Sequence, residues 1–375
     1  MKAIGIILAG GNSVRMRELS NKRAISAMPV AGSYRAIDFS LSSMANSHVS
    51  KVAVLTQYNS RSLNEHLSSS KWWDFGRKKG GLYVFTPTIT LDNSFWYRGT
   101  ADALYQNINF LKMSHEPYVI ISSGDCIFKM DFNKLVDYHI EKKADITIVC
   151  TRADEGTDIT RFGVVTVDDD MRVTDFEEKP FFCREAEPLI SAGIYVIRRR
   201  QLIELLEKAI EEERYDFVSD ILIRYKDIKR ICAYEHTDFW RNIASVDDYY
   251  RTNMDFLDRS VRDYFFREYP DVYSKIDDLP PAKFNSGSSV KNSLVSSGTI
   301  VNGTIENSVI FKEVYIGNNT TIKNSIILND VRIGDNTYIE NCIVESHDTV
   351  KPNSTYVGEP GKVRIVLENN ERYSI

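Results

Sequence analysis

Short apolar runs alternate with longer amphipathic stretches over residues 1–245. The runs that predict buried strands are 3–9, 49–56, 118–123 and 145–150, and the stretches that predict helices include 60–67, 134–142 and 201–214. Strands that alternate with helices in this way predict a doubly wound α/β sheet. Ligands of such sheets lie beyond the carboxyl ends of the strands. Gly10, Gly11 and Asp125 each follow the end of a predicted strand, so we expect a ligand site near them.

A different pattern begins after residues 279–281, where Asn, Ser, Gly, Val and Ile become frequent and helix-forming residues become rare. Four similar units are centred on Asn292, Asn307, Asn324 and Asn341, about 17 residues apart. Roughly eighteen residues form one triangular coil of a hexapeptide β-helix, and each coil buries its aliphatic side chains against the next. An irregular asparagine-rich loop would not repeat four times in phase. This part of the chain is therefore predicted to form a left-handed parallel β-helix.

The two patterns divide the chain into three predicted parts. Residues 1–245 form an α/β domain, residues 246–284 a helical linker rich in Tyr, Phe and Asp, and residues 285–375 the β-helix. A β-helix is also typical of many acyltransferases, which place a histidine base at the edge of a coil. His347, beyond the last full repeat, is the one histidine of the predicted β-helix, so acyl transfer stays a minor alternative.

The composition is that of a globular protein with two or three domains. Of the 375 residues, 43% are hydrophobic and 26% are charged, and the net charge of −5 argues against a nucleic-acid binder. No run approaches the ~20 apolar residues of a membrane span, and the first residues lack the pattern of a signal peptide. The five cysteines are scattered without a Cys-x-x-Cys pair, which predicts reduced thiols. We therefore expect a cytoplasmic protein that contacts neither membrane nor nucleic acid.

The turn at Gly10-Gly11 is the first candidate for chemistry. A glycine turn at the end of a first strand lets backbone N–H groups approach a phosphate closely. Arginine and lysine residues follow between positions 15 and 23, and they would neutralise the charge of that phosphate. The alternative is an ordinary strand-to-helix turn followed by solvated basic residues.

The residues around this turn resemble a known family. Leu-Ala-Gly-Gly-x-x-x-Arg-Met at 8–16, followed by Asn-Lys-Arg-Ala at 21–24, resembles the opening of sugar-1-phosphate nucleotidyltransferases. Tyr-Arg-x-Ile-Asp-Phe-x-Leu-Ser at 34–42 is similar to glucose-1-phosphate adenylyltransferases, which make ADP-glucose from ATP and glucose 1-phosphate for glycogen synthesis. The β-helix extends the resemblance over nearly the whole chain. The first domain is thereby expected to be a nucleotidyltransferase domain of the GT-A-like type.

The resemblance implies two groups of ligand-binding residues in the first domain. The group near the nucleotide comprises Leu8, Ala9, Gly10, Gly11, Gln57, Gly99, Thr100, Ala101 and Asp102. The group that holds the sugar phosphate comprises Glu178, Lys179, Ser191 and Gly193. In the second group, Lys179 would hold the phosphate and Ser191 would face the hexose. Each motif alone is a common turn or a solvated charge, but together their order and spacing are specific.

The reaction implied by the resemblance joins two anionic substrates, so it needs positioned cations and Mg²⁺. Arg15 and Asp125 match catalytic positions of the family, and Asp125 would also be one carboxylate ligand of Mg²⁺. The alternative for Asp125 is a cap on the following turn. The family takes its second metal carboxylate from Trp-Arg-Asp-Val-Gly-Thr, which here reads Trp-Arg-Asn-Ile-Ala-Ser at 240–245. Asn242 thus lacks the negative charge, which predicts weakened Mg²⁺ binding.

Three departures from the family pattern fall on the nucleotide and metal side. Ser13 replaces the third glycine of the turn, Ile25 replaces a lysine that reaches the ATP phosphates, and Asn242 replaces the metal carboxylate. Ser13 would add a Cβ where only glycine takes positive φ freely. Removing one well-placed electrostatic stabiliser typically costs ~10²–10³ in rate. The departures therefore predict weak or absent catalysis.

This combination is most similar to the GlgD-type regulatory subunit of the bacterial enzyme. The resemblance then implies an impaired partner of a catalytic subunit, joined in a heterotetramer, with glucose 1-phosphate and ATP or ADP-glucose as ligands. Two alternatives stay open. The chain could be an adenylyltransferase that is active in its own right, or a non-enzymatic protein that binds sugar phosphates.

Overall fold

The computed structural model describes residues 2–76, 80–88, 96–154, 157–182, 187–359 and 361–367. The chain folds into two compact units. Unit 1 comprises Met1–Gly11, Phe39–Ser60 and Leu67–Trp240, and unit 2 comprises Asn12–Asp38, Arg61–His66 and Arg241–Ile375. Along the sequence, the first boundary between the units therefore lies directly after Gly11, at the predicted glycine turn. The sequence-based limits of the α/β domain, the linker and the β-helix stay a prediction.

Helices and strands are numbered here in chain order. The strands before the repeats are β1 (Ala3–Leu8), β2 (Pro29–Val30), β3 (Tyr34–Arg35), β4 (Lys51–Leu55), β5 (Gly81–Phe85), β6 (Tyr118–Ser123), β7 (Cys126–Phe128), β8 (Ile146–Arg152), β9 (Gly163–Val167), β10 (Val173–Glu178), β11 (Leu189–Arg198), β12 (Ile231–Glu235) and β13 (Trp240–Asn242). The strands of the repeats are β14 (Lys283–Phe284), β15 (Ser289–Lys291), β16 (Leu294–Val295), β17 (Ile300–Val301), β18 (Thr304–Glu306), β19 (Val309–Ile310), β20 (Tyr315–Ile316), β21 (Thr321–Lys323), β22 (Ile326–Ile327), β23 (Arg332–Ile333), β24 (Tyr338–Glu340), β25 (Cys342–Val344), β26 (Thr349–Val350), β27 (Thr355–Val357) and β28 (Arg364–Val366).

The α-helices are α1 (Ala36–Asn46), α2 (Arg61–His66), α3 (Thr100–Gln106), α4 (Ile108–Lys112), α5 (Phe132–Glu141), α6 (Arg199–Glu211), α7 (Val246–Asp255) and α8 (Arg259–Phe266). Short 3-10 turns span Val14–Ser20, Ile25–Ala27, Ser70–Trp73 and Ile159–Arg161, and a π-helix spans Val218–Ile223. Every helix within the described ranges is too short or too polar to cross a membrane.

Unit 1 is built on a mixed sheet that contains nine of the described strands. Its main path runs β10-β9-β11-β6-β1-β4-β5, with β8 beside β11 and β12 beside β8. In the middle of the sheet, β1 runs parallel to both β6 and β4, with Gly5 opposite Ile120 and Val52. Residues 3–7 of β1 are buried, as a continuous apolar run predicts for a central parallel strand.

The predicted fold class is confirmed, with one feature that the apolar runs did not reveal. β11 runs antiparallel to β6 and pairs Ile194 with Ser122 and Arg198 with Tyr118. An antiparallel neighbour brings its amino-terminal half to the carboxyl end of the strand beside it. Residues 189–193 therefore lie at the sheet edge where β6 ends.

The repeats of unit 2 form three parallel sheets, each with five of the described strands. The orders are β14-β17-β20-β23-β26, β15-β18-β21-β24-β27 and β16-β19-β22-β25-β28. Successive coils pair in register, as in Ile305 with Ile322 and Ile322 with Ile339. Aliphatic side chains from all three sheets form one buried cluster. This arrangement confirms the predicted left-handed parallel β-helix.

The repeated asparagines occupy corners of the coils. Asn292, Asn307, Asn324 and Asn341 have φ angles of 40, 46, 44 and 52°. Asparagine tolerates this left-handed conformation better than most residues do. Neighbouring coils are linked by hydrogen bonds: Asn292 Nδ2 donates to Asn307 Oδ1, 15 residues away, and Ser325 N donates to Ser308 Oγ, 17 residues away. The sequence period therefore marks the corner residue of each coil.

The first part of the predicted helical linker contains two helices. α7 ends at Asp255 and α8 begins at Arg259. Between them, the Asp258 carboxylate accepts a hydrogen bond from Ser260 N at 2.6 Å and caps α8. A capping aspartate starts a new helix because it satisfies an amide that has no partner within the helix.

Within unit 2, α7 holds the segment that follows the glycine turn. The Tyr249 hydroxyl donates to Pro29 O at 2.6 Å, and Ala31 N donates to Asn253 Oδ1 at 3.0 Å. On the same helix, the Tyr250 hydroxyl donates to the repeats at Asn324 O, 2.7 Å away. These contacts explain why residues 12–38 group with the carboxyl-terminal half of the chain.

Candidate active site

β1 leads into the predicted glycine turn at one edge of the unit 1 sheet. Ala9 N donates a hydrogen bond to Leu55 O at 2.8 Å, which extends the pairing of β1 with β4. Gly10 lies against Gln57, since a Cβ at Gly10 would be 3.3 Å from the Gln57 Cβ. The structure thus brings together five predicted nucleotide residues, Leu8, Ala9, Gly10, Gly11 and Gln57.

A second loop of unit 1 carries the predicted nucleotide residues around Gly99. Gly99 has no room for a side chain, because a Cβ there would be 2.3 Å from Tyr215 O. Ala101 N donates to the same carbonyl oxygen at 2.8 Å. Thr100 Oγ1 accepts a hydrogen bond from Phe217 N at 2.8 Å. Glycine at 99 is therefore required by the approach of a neighbouring backbone.

Asp102 is fully buried and organises this loop. Its carboxylate accepts hydrogen bonds from Arg98 N, Arg98 Nη2 and Gln106 Nε2, each at 2.9 Å. Gln57 Oε1 accepts a hydrogen bond from Tyr97 N at 2.8 Å and so connects the loop with the glycine turn. The side chain of Asp102 thus stabilises the conformation of the loop. Its contact with a nucleotide stays a prediction.

Asp125 follows the end of β6, beside the glycine turn. Gly124 N donates to Leu8 O at 2.9 Å, so the two strand ends are joined. Asp125 Oδ1 accepts hydrogen bonds from Ser123 Oγ at 2.5 Å and from Cys126 Sγ at 3.6 Å. The carboxylate is half-buried, which leaves it access to a cation or to a ligand hydroxyl.

β11 brings the predicted hexose residues to the same edge. A register shift between Ser191 and Ile194 forms a β-bulge, and such bulges redirect side chains. Gly193 takes a φ of 71°, and a Cβ there would be 3.3 Å from the Ser123 Cβ. Ser191 Oγ lies 3.2 Å from the Tyr195 hydroxyl. Ser191 and Gly193 are therefore neighbours of the strand end that carries Asp125.

Glu178 and Lys179 lie at the end of β10, which β9 separates from β11. Lys179 has a φ of 53°, a conformation that costs a non-glycine residue roughly 1–3 kcal/mol and that clusters at functional sites. Lys179 Nζ lies 3.1 Å from Glu178 Oε1, and the lysine side chain is 61% exposed. Its ammonium group is thus oriented by Glu178 and accessible to an anionic ligand.

The strain expected at Ser13 is absent, so that expectation was wrong. Ser13 has φ −134° and ψ 120°, an extended conformation that any residue adopts. Its hydroxyl donates to Ala244 O at 2.6 Å within unit 2. The serine at this position therefore makes a hydrogen bond and does not require a left-handed backbone conformation.

Arg15 and Ile25 lie in the 3-10 turns of unit 2. Arg15 is exposed in the turn Val14–Ser20. Ile25 is only 3% exposed, and its turn packs against α2. Ile25 is therefore a core residue and presents no charge.

Asn242 takes part in a turn that precedes α7. Its Oδ1 accepts a hydrogen bond from Ala244 N at 3.0 Å, the pattern of an Asx-turn. Directly after Ala244, Ser245 Oγ accepts a hydrogen bond from Asp248 N at 3.2 Å and caps α7. The amide oxygen of Asn242 thus accepts a hydrogen bond from the backbone of its own turn.

Known proteins match both parts of the chain. The nucleotidyl transferase family model matches residues 4–259, and the model of the GlmU-like, C-terminal hexapeptide family matches residues 280–362. A glucose-1-phosphate adenylyltransferase from Thermosipho melanesiensis is 37% identical over 317 residues, which are 84% of this chain and 76% of that protein. The proteins of the same name from Geobacillus stearothermophilus and Clostridium acetobutylicum are 37% identical over 323 residues and 38% identical over 320 residues. Those alignments cover 84% of this chain and 82% and 83% of the two relatives.

The chain belongs to the glucose-1-phosphate adenylyltransferase family. Nucleotidyltransferases generally use Mg²⁺, which prefers hard oxygen ligands and usually takes one or two carboxylates. Asp125 offers one carboxylate in unit 1, whereas Asn242 offers a neutral amide oxygen that already accepts Ala244 N. Nowhere in the described ranges do three His, Cys, Asp or Glu side chains come together as a metal site. The residues of this family member thus do not fit the two-carboxylate ligand set that the resemblance implies.

The sequence did not reveal several side chains that contact the candidate site residues of this adenylyltransferase family member. Ser123 and Cys126 contact Asp125, and Tyr195 contacts Ser191. The signal for the first two was their position beside Asp125, whereas Tyr195 is revealed only by the bulge in β11. The described cysteines, Cys126, Cys150, Cys232 and Cys342, are buried free thiols, and Cys183 lies outside the described residues.

Proposed function

We propose that this chain is a catalytically impaired, regulatory subunit of a glucose-1-phosphate adenylyltransferase. The enzyme converts ATP and glucose 1-phosphate to ADP-glucose and diphosphate in glycogen synthesis. In this proposal the chain works in the cytoplasm beside a catalytic subunit, within a mixed tetramer. It binds glucose 1-phosphate and contributes little or no adenylyl transfer of its own.

The observation that carries the proposal is the burial of Ile25. The family motif has a lysine at this position, where its charge serves the ATP phosphates. Here the position holds an aliphatic side chain that is 3% exposed and packed in the core of unit 2. Loss of one such stabiliser typically lowers the rate ~10²–10³-fold, because the developing charge of the transition state loses a preorganised partner.

Asn242 supports the same proposal from the metal side. A neutral amide attracts a hard dication less than a carboxylate does, and the Asn242 oxygen already accepts Ala244 N. We therefore expect Mg²⁺ to bind more weakly to this chain than to a catalytic subunit.

The sugar-phosphate group supports retained ligand binding. Lys179 keeps an exposed ammonium beside Glu178, and Ser191 keeps its hydroxyl at the edge of the unit 1 sheet. A chain that binds glucose 1-phosphate without turning it over could still influence a partner, provided that binding favours one state of the assembly.

The deciding experiment is an ADP-glucose formation assay on three samples. These are the chain alone, a catalytic subunit with an intact Gly-Gly-x-Gly-Thr-Arg turn and Arg-Ala-Lys-Pro motif alone, and the two mixed. We expect little turnover from the chain alone and a changed rate or effector response in the mixture. Co-migration of the two chains in size-exclusion chromatography with mass determination tests the assembly.

A second candidate is an adenylyltransferase that is active in its own right. The intact arrangement of Gly10, Gln57, Asp125 and Ser191 in unit 1 favours it. Turnover of the isolated chain near the ~10 s⁻¹ typical of enzymes would establish this candidate and reject the impaired subunit. Sugar-phosphate binding with neither turnover nor association with a catalytic chain would instead indicate a non-enzymatic binding protein.

A further inference from the structure

A cavity of about 350 Å³ lies in unit 2, between the turn Val14–Ser20 and the last described coil of the repeats. Both of these segments belong to unit 2. The volume is in the range of small-molecule sites, roughly 300–1,000 Å³. The residues that line the cavity include none of the nucleotide or sugar-phosphate residues predicted from the sequence, so it is a separate candidate site.

Five charged side chains line the cavity. Three are positive, Arg17, Lys362 and Arg364, and two are negative, Glu18 and Glu359, which leaves one net positive charge. The chain as a whole has a net charge of −5. Among the described residues, none of these five side chains forms an ion pair. The three cations are therefore not neutralised by direct contact with a carboxylate and can attract an anion.

Arg17 is held in a conformation that few residues other than glycine adopt. Its φ and ψ angles are 47° and −135°, and they interrupt the 3-10 turn. Met16 before it and Leu19 after it have no exposed surface, and Ser20 Oγ donates to Arg17 O at 3.1 Å. Strained backbone of this kind persists only where the surrounding structure holds it, and it clusters at functional sites. The packing of the turn thereby keeps the exposed Arg17 side chain at the cavity.

The opposite wall of the cavity is fixed by the preceding coil. Arg364 N donates to Asn341 O at 3.1 Å, within the pairing of β28 with β25. Arg364 Cζ lies 5.1 Å from the centroid of the Tyr356 ring, which is a cation–π distance. Lys362 N donates to Glu359 O at 3.0 Å and closes a turn just before Arg364. Both cations of this wall are thus carried by backbone that is held in place by hydrogen bonds.

We propose that this cavity binds a small ligand that carries a phosphate group, with Arg17, Lys362 and Arg364 as its cationic contacts. Guanidinium groups bind phosphate oxygens through paired hydrogen bonds, and a lysine adds a compact positive charge. Glu18 and Glu359 can accept hydrogen bonds from hydroxyl groups of the same ligand. This inference goes beyond the proposed function and does not depend on whether the chain turns over its substrates.

The first test measures hydrogen exchange of the full chain by mass spectrometry, with and without inorganic phosphate. Sodium chloride at equal ionic strength is the reference, because it screens charges without offering phosphate oxygens. We expect phosphate to slow exchange about 3- to 10-fold in the peptides that cover 14–20 and 357–366, the effect of phosphate at about two to nine times its dissociation constant. Because the readout is local, it separates the cavity from Lys179 in unit 1, which we also expect to attract phosphate.

The second test repeats the phosphate titration on three variants and measures their urea midpoints. Arg17→Gly removes one cation together with the strain of a non-glycine residue at positive φ. Its phosphate affinity should therefore fall about 5- to 20-fold, the effect of losing roughly one hydrogen bond, while its urea midpoint rises. Arg364→Ala should lose affinity to a similar extent. Arg332→Ala is the matched control and should keep the wild-type affinity, because Arg332 is an exposed arginine of β23 that does not line the cavity.

Each outcome decides the proposal. Slower exchange in neither peptide, or equal slowing by chloride, overturns the phosphate site. Wild-type affinity in Arg17→Gly or in Arg364→Ala overturns the assignment of that arginine, and so does a joint fall of affinity and urea midpoint in Arg17→Gly. Loss of affinity in Arg332→Ala would show that net charge, and not the cavity, attracts phosphate. Full turnover by the wild-type chain would reject the proposed function and leave these results unaffected, so the two failures are distinguishable.

Discussion

Arg23 and Glu345 form an ion pair in unit 2 in which both side chains are buried, at 9% and 0% exposure. Arg23 Nη1 also donates to Ser346 Oγ at 3.1 Å, and Ser346 N donates to Glu345 Oε1 at 2.7 Å. Arg23 belongs to the segment that follows the glycine turn, and Glu345 belongs to the last coils of the β-helix. The pair therefore joins the basic segment at 15–23 to the repeats.

We expect Glu345→Ala to lower the free energy of unfolding of unit 2 by roughly 3–5 kcal/mol, because it leaves the Arg23 charge buried without its partner. Urea denaturation followed by circular dichroism measures this. The control is Lys323→Ala, which removes an exposed pair with Glu306 and should cost about 0–1 kcal/mol. Equal effects of the two substitutions would contradict a structural role for the buried pair.

Ile25→Lys should lower the free energy of unfolding by several kcal/mol, because the new ammonium group would enter a position that is 3% exposed. Ile25→Met, of similar volume, should cost less than about 1.5 kcal/mol. Thermal and urea denaturation of the two variants provide the comparison. A lysine variant as stable as the methionine variant would mean that the position opens to solvent, which would weaken the argument for impaired catalysis.

Lys179→Ala should weaken binding of glucose 1-phosphate about 10- to 100-fold, because a hydrogen bond to a charged group contributes roughly 1.5–3 kcal/mol. Isothermal titration calorimetry with the sugar phosphate alone measures the affinity. Lys226→Ala is the matched control, since Lys226 is another lysine of unit 1 paired with a carboxylate, that of Asp175. Equal affinities of wild type and Lys179→Ala would show that the sugar-phosphate residues are assigned wrongly.

The stability of the chain should fall as the pH falls from about 6.5 to about 4. Burial lowers the pKa of His139 from 6.5 to about 4, and its Nδ1 lies 2.8 Å from Thr147 Oγ1. In this window the unfolded chain binds a proton that the folded chain does not, so acid favours unfolding. The stability that depends on an uncharged His139 is fully present above pH 6.5. Between pH 6.5 and pH 4.5 the free energy of unfolding falls by roughly 2 kcal/mol on account of this residue.

His139→Gln should be less stable than wild type at pH 8, since the bond to Thr147 is disturbed, but its stability should change less between pH 7 and 5. Urea midpoints at several pH values give the two slopes. Burial also lowers the pKa of His236, so part of the pH dependence of the stability remains in the variant. Parallel pH profiles for the variant and wild type would exclude His139 as the source.

Local sequence pattern determined much of the fold. The apolar runs identified β1, β4, β6 and β8 within a few residues of their ends, because a strand buried on both faces needs a continuous apolar run. The asparagine period identified the β-helix, because each coil needs a residue that tolerates positive φ at its corner. The pattern after residue 246 indicated helix but not its division in two, which depends on the capping aspartate at 258.

The sequence by itself also determined the family, since its glycine turn at 8–16 and the Tyr-Arg-x-Ile-Asp-Phe-x-Leu-Ser stretch at 34–42 are each continuous in the sequence. Only the tertiary structure decided what the altered positions do. Ser13 is bonded to a carbonyl 231 positions away, and Ile25 is buried because its turn packs against α2. The antiparallel course of β11, which brings Ser191 beside the end of β6, likewise depends on which strands pair. Such contacts join segments far apart in the chain, and their free energies depend on the assembled neighbours rather than on any local pattern of residues.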